Sequence, residues 1–426
     1  MTGGGLGGAE GPRIYNLFPL LAGPFSRWGP HLERARAMGF TWLFVNPIHQ
    51  AGLSGSLYAV KDHDAVDPRF LDGGRDPWEQ FADLVSAAGR AGLRVMLDLV
   101  LNHTAVDSPL IQAHPAWFKR DSNGELVHPR ATDGKREVVW GDLAEVDNAG
   151  STDRERLWAY WRRLAHRLVS LGVAGFRCDA AYQVPVPLWR DLIGAIKSRH
   201  PQVQFFAETL GCTPEETLAT AQAGFDFIFN SSKWWDFRAP WFLEQQELFA
   251  PVVASVSFPE SHDTPRLAAE LKTAAGVLQR YAIAATLAPG IMMPIGFEYG
   301  FQHPLHVVRT TPADWEVPTW DLTRQIAAVN RVKATLRPLN AETPIRPVAR
   351  IRPPAFAFWK ESQDGRERLL VVVNPDATRR VEVPLDSARP APGPLVVVDL
   401  QTGMTAPLGG DGLALEPAGV RVVSAA

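Results

Sequence analysis

The 426-residue chain lacks the features that mark secreted, membrane and nucleic-acid-binding proteins. Its two cysteines, Cys178 and Cys212, form neither a disulfide framework nor a zinc-binding spacing. No apolar run approaches the ~20 residues of a membrane span, and residues 1–11 are glycine-rich, without the basic start of a signal peptide. The net charge of -3 gives no reason to expect nucleic acid or an anionic membrane as a partner. These absences predict a protein of the reducing cytoplasm.

The composition is that of an ordinary globular protein, with 46% hydrophobic and 21% charged residues. The length is sufficient for one large barrel and a smaller second domain. Up to residue 339, short apolar segments typical of buried strands alternate with segments of helical periodicity. The eight predicted strands cover residues 13–17, 41–45, 93–101, 175–181, 203–207, 225–229, 252–258 and 291–295.

This alternation predicts an α/β fold, a (β/α)8 TIM barrel over residues 12–339 with an insertion at about 104–150 after the third strand. A doubly wound open sheet is the alternative, but it gives no reason for functional residues at so many strand ends. Residues 340–426 predict a C-terminal antiparallel β domain, because short apolar strands at 356–359, 368–374, 380–383, 395–399 and 420–423 alternate there with turns. Residues 1–11 are expected to be disordered. The predicted helices include 76–91, 151–171, 185–198, 214–223, 266–287 and 317–336.

Polar side chains stand where the predicted strands end, and in a parallel barrel those ends surround one cavity. Because side chains alternate along a strand, Arg177 and Asp179 lie on one face, and Phe176 and Cys178 on the other. Asp98 comes earlier in its strand and is expected to orient its neighbours. The other strand-end residues are Asn102, His103, Glu208, His262 and Asp263.

Three carboxylates therefore converge on the predicted cavity, those of Asp179, Glu208 and Asp263. Cleavage of a glycoside needs one carboxylate as nucleophile and one carboxylic acid that protonates the leaving oxygen. A further negative charge can stabilise an oxocarbenium-like transition state. The residue types alone thus favour glycoside chemistry.

Four short segments resemble the signature regions of a known family, namely 98–103 (DLVLNH), 175–181 (GFRCDAA), 207–208 (AE) and 261–263 (SHD). Their order and strand positions resemble those of the α-amylase family, glycoside hydrolase family 13. The resemblance implies a retaining enzyme that acts on α-1,4-linked glucans or maltooligosaccharides through a covalent glycosyl-enzyme. It implies Asp179 as nucleophile, Glu208 as general acid/base and Asp263 as transition-state stabiliser. The substrate-binding residues that it implies are Tyr58, whose ring would stack on the sugar, Asp62, His103, Arg177 and His262.

A second resemblance concerns the sugar donor. The loop 55–62 (GSLYAVKD) and the segment 15–19 (YNLFP) resemble the maltosyl-transferring starch synthases, which use maltose 1-phosphate. Segments 102–103 and 179–181 look more like ordinary amylases and glucanotransferases, and Lys135 is only a positional candidate for a phosphate-binding residue. The identity of the sugar donor therefore stays open, and so does the acceptor, which can be water, a sugar hydroxyl or phosphate.

Several further alternatives stay open at this stage. Asn102 is a candidate calcium ligand, as in some family members, but no other ligand can be assigned and no further cofactor is expected. Ser261 stands where asparagine is commoner in the family. A non-catalytic glucan-binding protein is the rival from another class. The oligomeric state is not predicted. Trp234, Trp235 and Trp241 are either sugar platforms or packing residues. His49 and His63 are either subsite or surface residues, and His49 is the better candidate for the site.

Overall fold

The computed structural model describes residues 11–133, 136–237, 239–385 and 388–425. Within these ranges, eight parallel strands close into a barrel in which each strand pairs with its neighbours in chain order and the last pairs with the first. Residues 1–10 of the predicted disordered start, and Lys135, lie outside the described residues. The barrel strands are β1 (Arg13–Leu17), β2 (Trp42–Val45), β3 (Arg94–Leu99), β4 (Gly175–Cys178), β5 (Gln204–Ala207), β6 (Phe227–Phe229), β7 (Ala254–Ser257) and β8 (Gly290–Pro294).

Helices surround the barrel, and shorter strands and 3₁₀ turns extend its loops. The helices are α1 (Pro19–Ala22), α2 (Gly29–Ala37), α3 (Pro77–Arg90), α4 (Leu110–Ala113), α5 (Arg154–Ser170), α6 (Val186–Lys197), α7 (Pro214–Ala221), α8 (Trp241–Phe249), α9 (Leu267–Leu271), α10 (Ala274–Leu287) and α11 (Thr323–Thr335). Three two-stranded antiparallel sheets join His49–Ala51 to Val60–Val66, His103–Ala105 to Leu143–Glu145, and Arg130–Asp133 to Arg136–Val139. No helix among the described residues is long and apolar enough to cross a membrane.

The alternation of side chains along each strand builds two separate apolar layers. In β2, Trp42 and Phe44 point inward and join a cluster that fills the barrel interior. Leu43 and Val45 point outward and join the larger cluster under the helices. In β4, Cys178 lies in that outer cluster, on the side that the sequence predicts. Because neighbouring side chains alternate, Arg177 points into the barrel.

The C-terminal residues form antiparallel sheets, and the predicted barrel with a C-terminal β domain is confirmed. In the described part of this region, six strands follow one another in the sheet as Arg346–Pro347, Phe356–Glu361, Arg368–Val373, Val420–Ala425, Leu395–Asp399 and Thr405–Pro407. A separate pair joins Val381–Pro384 to Gly412–Leu415. The strands at 346–347, 405–407 and 412–415 are not among those predicted, because they are short and their apolar alternation is weak.

Three helix predictions are wrong in their extent. The predicted helix 266–287 is two helices, because Lys272 has a left-handed φ of 58° and Thr273 caps a new helix at Ala274, its side chain accepting the N–H of Gly276. The predicted helix 317–336 begins only at Thr323, where Asp321 accepts the backbone N–H. The helix assigned to start at Ser151 starts at Arg154. The short helix α8 has no counterpart in the prediction, because its apolar residues give little amphipathic signal.

A buried lysine ties α11 to the start of the C-terminal region. The Nζ of Lys333 donates to three backbone carbonyls, those of Ala285 at 2.9 Å, Ala288 at 2.7 Å and Leu339 at 2.5 Å. Its side chain is completely buried. Carbonyls at the ends of helices need such partners when water cannot reach them.

Lys333→Met is therefore expected to lower the free energy of unfolding by about 1–3 kcal/mol, because it leaves buried carbonyls without a donor. The shift of the urea-denaturation midpoint measures this loss. Lys272→Met is the matched control, since Lys272 is exposed and its replacement should change stability by less than about 0.5 kcal/mol. Equal midpoints for the two variants would contradict the stabilising role of Lys333.

Candidate active site

Arg177 is the centre of the side-chain cluster at the carboxyl ends of the barrel strands. Its Nη1 donates to both oxygens of Asp98 at 3.0 Å and to Oδ1 of Asp179 at 2.7 Å. Its Nη2 lies 3.9 Å from Oε2 of Glu208. Burial acts to lower the pKa of Arg177, but the surrounding negative groups outweigh it and raise the pKa well above its ordinary value. A permanent positive charge thus holds Asp179 and faces Glu208.

Glu208 is held by two backbone N–H groups, that of Ala180 on Oε2 at 2.8 Å and that of Leu210 on Oε1 at 3.1 Å. Burial raises the pKa of Glu208 to about 7, helped by the negative charges of Asp179 and Asp263 and opposed by Arg177. Near neutral pH this side chain is therefore protonated in a large fraction of molecules. A carboxyl with this property can act as a general acid.

The backbone directly after Asp179 is strained. Ala180 has a left-handed φ of 40°, a conformation that residues with a β-carbon rarely adopt. This turn presents the N–H of Ala180 to the Glu208 carboxyl at 2.8 Å. The strain thus lies at the link between the two catalytic candidates, where it sets their relative position.

Asp263 lies on the open side of the cluster, with 56% of its side chain exposed and its Oδ2 2.9 Å from Nε2 of His262. Desolvation by the surrounding residues acts to raise the pKa of Asp263, but the contacts with His262 and the charge of Arg177 outweigh this effect and lower the pKa. Ser261, at the position where the family commonly has asparagine, accepts the N–H of Asp263 through Oγ at 3.3 Å. Asp263 is thus suited to remain a carboxylate beside developing positive charge.

Tyr58 connects the hairpin loop to the cluster. Its hydroxyl donates to Oδ2 of Asp98 at 2.7 Å and accepts from Nδ2 of Asn46 at 2.9 Å. The hydroxyl also lies 2.7 Å from Nε2 of His262, and the two rings are nearly parallel, with an interplanar angle of 4°. Burial raises the pKa of Asp98 to about 6, against the opposing charge of Arg177. Asp98 is completely buried beneath these groups and orients them, whereas the stacking of Tyr58 on a sugar stays a prediction.

Tyr58→Phe is expected to lower the free energy of unfolding by about 1–3 kcal/mol, because the buried Asp98 and Asn46 groups lose a hydrogen-bond partner. Thermal denaturation followed by circular dichroism measures the change. Tyr160→Phe is the control, since among the described residues no hydrogen bond to its hydroxyl is found, and it should cost less than about 0.5 kcal/mol. A Tyr58→Phe variant as stable as Tyr160→Phe would show that the hydroxyl contributes nothing to the cluster.

Both ring nitrogens of His103 are buried, and among the described residues neither has a hydrogen-bond partner. Burial lowers the pKa of His103, although the negative charge of Asp179 opposes this shift. The contact of His103 with a sugar hydroxyl stays a prediction.

Asp62 is not brought into the cluster. It lies on the Val60–Val66 strand opposite Gln50, and its Oδ1 accepts the N–H of Asp64 at 2.7 Å. In the described parts of the chain, no hydrogen bond or ion pair joins Asp62 to the catalytic candidates. A role of Asp62 in substrate binding therefore stays a prediction.

The calcium prediction receives no support from the donor groups. Nδ2 of Asn102 donates to Oε1 of Gln183 at 2.7 Å. Across the described ranges, no group of three or more His, Cys, Asp or Glu side chains could hold a metal ion. Because Ca²⁺ also takes amide and backbone carbonyl oxygens, calcium binding at Asn102 stays a prediction, and no step of the chemistry is routed through a metal.

His49 and His63 are neither surface nor cleft residues. Both are buried, with ring centroids 5.4 Å apart, and Trp78 and Trp161 pack against them. Burial lowers the pKa of His63 to about 4 and that of His49 well below its usual value. They act as neutral core residues beside the site.

Sequence reasoning missed the apolar wall of the catalytic cavity. The cavity lined by Glu208 and Asp263 has an apolar wall, made by inward residues at the strand ends and by Leu210. The inward period-two positions near the strand ends were the available signal. The apolar wall consists of Phe44, Leu210, Phe229, Phe258 and Met292.

Comparisons with known proteins agree with this geometry. The family described as glycogen debranching enzyme, glucanotransferase domain, matches residues 11–119. The chain is 30% identical over 381 residues to an α-1,4-glucan:maltose-1-phosphate maltosyltransferase of Burkholderia pseudomallei, covering 86% of this chain and 33% of that protein. A protein of the same name from Cereibacter sphaeroides is 26% identical over 437 residues, which are 92% of this chain and 62% of the relative. The predicted resemblance to the α-amylase family is confirmed.

Solved structures show the same fold as this α-amylase-like chain. An α-amylase from Lactobacillus plantarum superposes with a TM-score of 0.78 at 22% identity, covering 97% of this chain and 99% of that one. An α-amylase from Geobacillus thermoleovorans, complexed with acarbose, gives a TM-score of 0.73 at 17% identity and covers 97% and 98%. The shared architecture thus includes the C-terminal β region. The chain spans less than two thirds of the length of the curated relatives described above.

Proposed function

We propose that this chain is a retaining enzyme that cleaves α-1,4-glucosidic bonds in glucans or maltooligosaccharides. The observation that supports this most directly is the pairing of Asp179 with a Glu208 whose pKa is about 7, both facing Arg177. One carboxylate then serves as nucleophile and one carboxylic acid protonates the leaving oxygen. Four signature segments at matching strand ends support the same activity.

In the first step, Glu208 gives its proton to the glycosidic oxygen while Asp179 attacks the anomeric carbon. The C–O bond breaks, and the sugar becomes an ester of Asp179. Asp263 stabilises the positive charge that develops on the ring. Arg177, His103 and His262 bind the sugar at the reacting ring. Retention through two inversions predicts that the carboxyls of Asp179 and Glu208 lie about 5–5.5 Å apart.

In the second step, Glu208 is a carboxylate and takes the proton of the acceptor as the acceptor attacks the glycosyl ester. Water as acceptor makes the enzyme a hydrolase. A sugar hydroxyl makes it a transglycosylase, and phosphate makes it a phosphorylase. The first step is common to the three activities.

Maltosyl transfer from maltose 1-phosphate to a glucan is the second candidate function. The curated relatives described above have the name of this activity, and the loop 55–62 resembles the corresponding synthases. In this reaction Asp179 displaces phosphate, and Glu208 acts chiefly as the base for the acceptor hydroxyl. Because phosphate is a good leaving group, protonation by Glu208 matters less in the first step.

A product profile distinguishes these activities. The protein is incubated with maltoheptaose, and products are resolved by chain length while reducing ends are counted. Shorter products with rising reducing ends identify a hydrolase, whereas longer and shorter products with constant reducing ends identify a transglycosylase. Extension by maltosyl units with equimolar phosphate release, after addition of maltose 1-phosphate, identifies the maltosyltransferase. No change with either donor would favour a non-catalytic glucan-binding protein.

The cytoplasm is the compartment that we propose. Both cysteines are free thiols, Cys178 in the core and Cys212 partly exposed. Free thiols persist in a reducing compartment. An α-glucan or maltooligosaccharide is the partner that follows from the proposed activity.

A further inference from the structure

A buried ion pair closes the turn that contains His262 and Asp263. Nη1 of Arg266 donates to Oε1 of Glu260 at 2.8 Å, and the backbone N–H of Leu267 donates to Oε2 of the same carboxylate at 2.6 Å. Both side chains of the pair are buried. One carboxylate thus joins the two ends of the segment that leads from β7 to α9, with the turn between them.

Arg266 also fixes this turn to the segments beyond β8. Its Nη1 donates to the carbonyl of Ile295 at 3.0 Å, and its Nε donates to the carbonyl of His303 at 3.1 Å. The guanidinium therefore has acceptors on three segments of the chain, which suits its planar fork of donors. A lysine has a single nitrogen and cannot match this arrangement.

The segment 303–307, whose first carbonyl accepts from the guanidinium, also contacts the loop that carries the tyrosine of the cluster. The carbonyl of Val307 accepts the N–H of Leu57 at 3.0 Å. The next residue, Tyr58, has its hydroxyl 2.7 Å from Nε2 of His262. His262 is therefore linked to this segment from two directions, through the tyrosine and through its own closed turn.

Hydrogen bonds inside the turn fix its shape but not its place in the barrel mouth. The N–H of Ser261 donates to Oγ1 of Thr264 at 2.9 Å, and Oγ of Ser261 accepts the N–H of Asp263 at 3.3 Å. Both contacts stay within the turn, so they do not set the position of Asp263 relative to Asp179 and Glu208. Contacts with other segments set that position, and the ion pair supplies them at the carbonyls beyond β8.

Stability alone does not account for an ion pair that is buried in this way. Removing two charges from water costs about as much as their attraction returns, so a buried pair contributes little net stability compared with apolar residues of similar volume. What the pair provides is a fixed geometry. This geometry matters for Asp263, because its carboxylate has to lie beside the charge that develops on the sugar ring, and a misplacement of about 1 Å can lower a rate about 10²-fold.

We propose that Glu260 and Arg266 are positioning residues that hold Asp263 where it stabilises the transition state. This inference rests on the proposed function, because it assumes that Asp263 acts in glycosyl transfer. Neither side chain of the pair lines the catalytic cavity. Its removal should therefore lower kcat and leave the binding of the ground state unchanged.

Single and double variants separate position from stability. Arg266→Met leaves a buried carboxylate without its partner and is expected to lower both the melting temperature and kcat on maltoheptaose. The double variant Glu260→Leu/Arg266→Met removes both charges, so its melting temperature is expected to rise above that of Arg266→Met. Its kcat is expected to stay about 10²-fold below the wild type, with KM within about threefold.

Two further variants complete the test. Lys333→Met is the matched control, because the hydrogen bonds of this other buried cation reach none of the segments above, and its kcat is expected to stay within about twofold of the wild type. Arg266→Lys keeps the charge but not the fork, and it gives a second comparison if the double variant fails to fold. It is expected to lower kcat at unchanged KM.

The outcomes separate the positioning role from the proposed function. A double variant with the kcat of the wild type, or Arg266→Lys with that kcat, overturns the positioning role while the proposed function stands. A rise in KM at unchanged kcat also overturns it, because the pair would then act on ground-state binding.

If the wild-type protein turns over neither maltoheptaose nor maltose 1-phosphate, the proposed function falls, and crystal structures of the wild type and of the variants decide the role of the pair. A turn 261–264 that keeps its place without the ion pair overturns the positioning role. A displaced Asp263 supports it.

Discussion

Asp179→Asn is expected to lower kcat on maltoheptaose by about 10⁴-fold or more, because an amide cannot form the glycosyl ester. The substitution keeps the size of the side chain and an oxygen that can accept from Arg177, whose Nη1 lies 2.7 Å from Oδ1 of Asp179. Binding of maltoheptaose should therefore persist. Initial rates from reducing-end or phosphate release, together with calorimetric binding, measure the two effects separately.

Asp83→Asn is the matched control, because Asp83 is an exposed aspartate of helix α3 whose carboxylate pairs with Arg75 at 2.7 Å, outside the cluster. Its kcat is expected to stay within about twofold of the wild type, as for a substitution away from the reacting groups. Asp179→Gly provides a second check, since azide can enter the space left by the carboxylate. The expected product is a β-glycosyl azide, formed by a single inversion. Undiminished turnover by Asp179→Asn would refute the nucleophile assignment.

The second large effect concerns Glu208 and pH. Its pKa of about 7 predicts that kcat/KM for maltoheptaose falls as pH rises through this value, because only the protonated carboxyl can donate to the leaving oxygen. Below the pKa the donor is present, so the loss lies on the alkaline side. Glu208→Gln is expected to lower kcat/KM by about 10²–10⁴-fold and to remove this alkaline limb from the residual activity.

A substrate with a leaving group that needs no proton tests the cause of that limb. With α-maltosyl fluoride, Glu208→Gln should lose much less of the first-step rate, and the wild-type alkaline limb near pH 7 should weaken. The measurement is fluoride release across pH 5 to 9 for both proteins. An equally steep alkaline limb with maltosyl fluoride would mean that another group controls it and would contradict the general-acid role.

The elements of the barrel and the catalytic carboxylates were predictable from local sequence. A buried parallel strand is a short apolar run, and its side chains alternate, so Arg177 had to face the interior once Cys178 faced the helices. The carboxyl ends of parallel strands meet at one end of a barrel. Asp179, Glu208 and Asp263 therefore had to lie near one another whatever the loops between them did.

The extent of helices and the roles of loop residues were not predictable in this way. The helical pattern of 266–287 contains no glycine or proline at the point where Lys272 adopts a left-handed φ. Tyr58 is hydrogen-bonded into the cluster through Asp98, whereas Asp62, four residues later, accepts from the backbone of Asp64. Trp234 and Trp235 are adjacent and chemically identical, but only one is exposed.

The sequence by itself determined the (β/α)8 barrel, the C-terminal β region and the convergence of the three carboxylates, because these follow from periodicities of two and 3.6 residues and from the direction of the strands. Only the tertiary structure decided the pKa of Glu208, the burial of His49 and His63, the amide contact of Asn102 and the exposure of Trp234. These properties depend on the residues that distant segments bring around each side chain. Burial and neighbouring charges depend on tertiary packing, which a local sequence pattern does not predict.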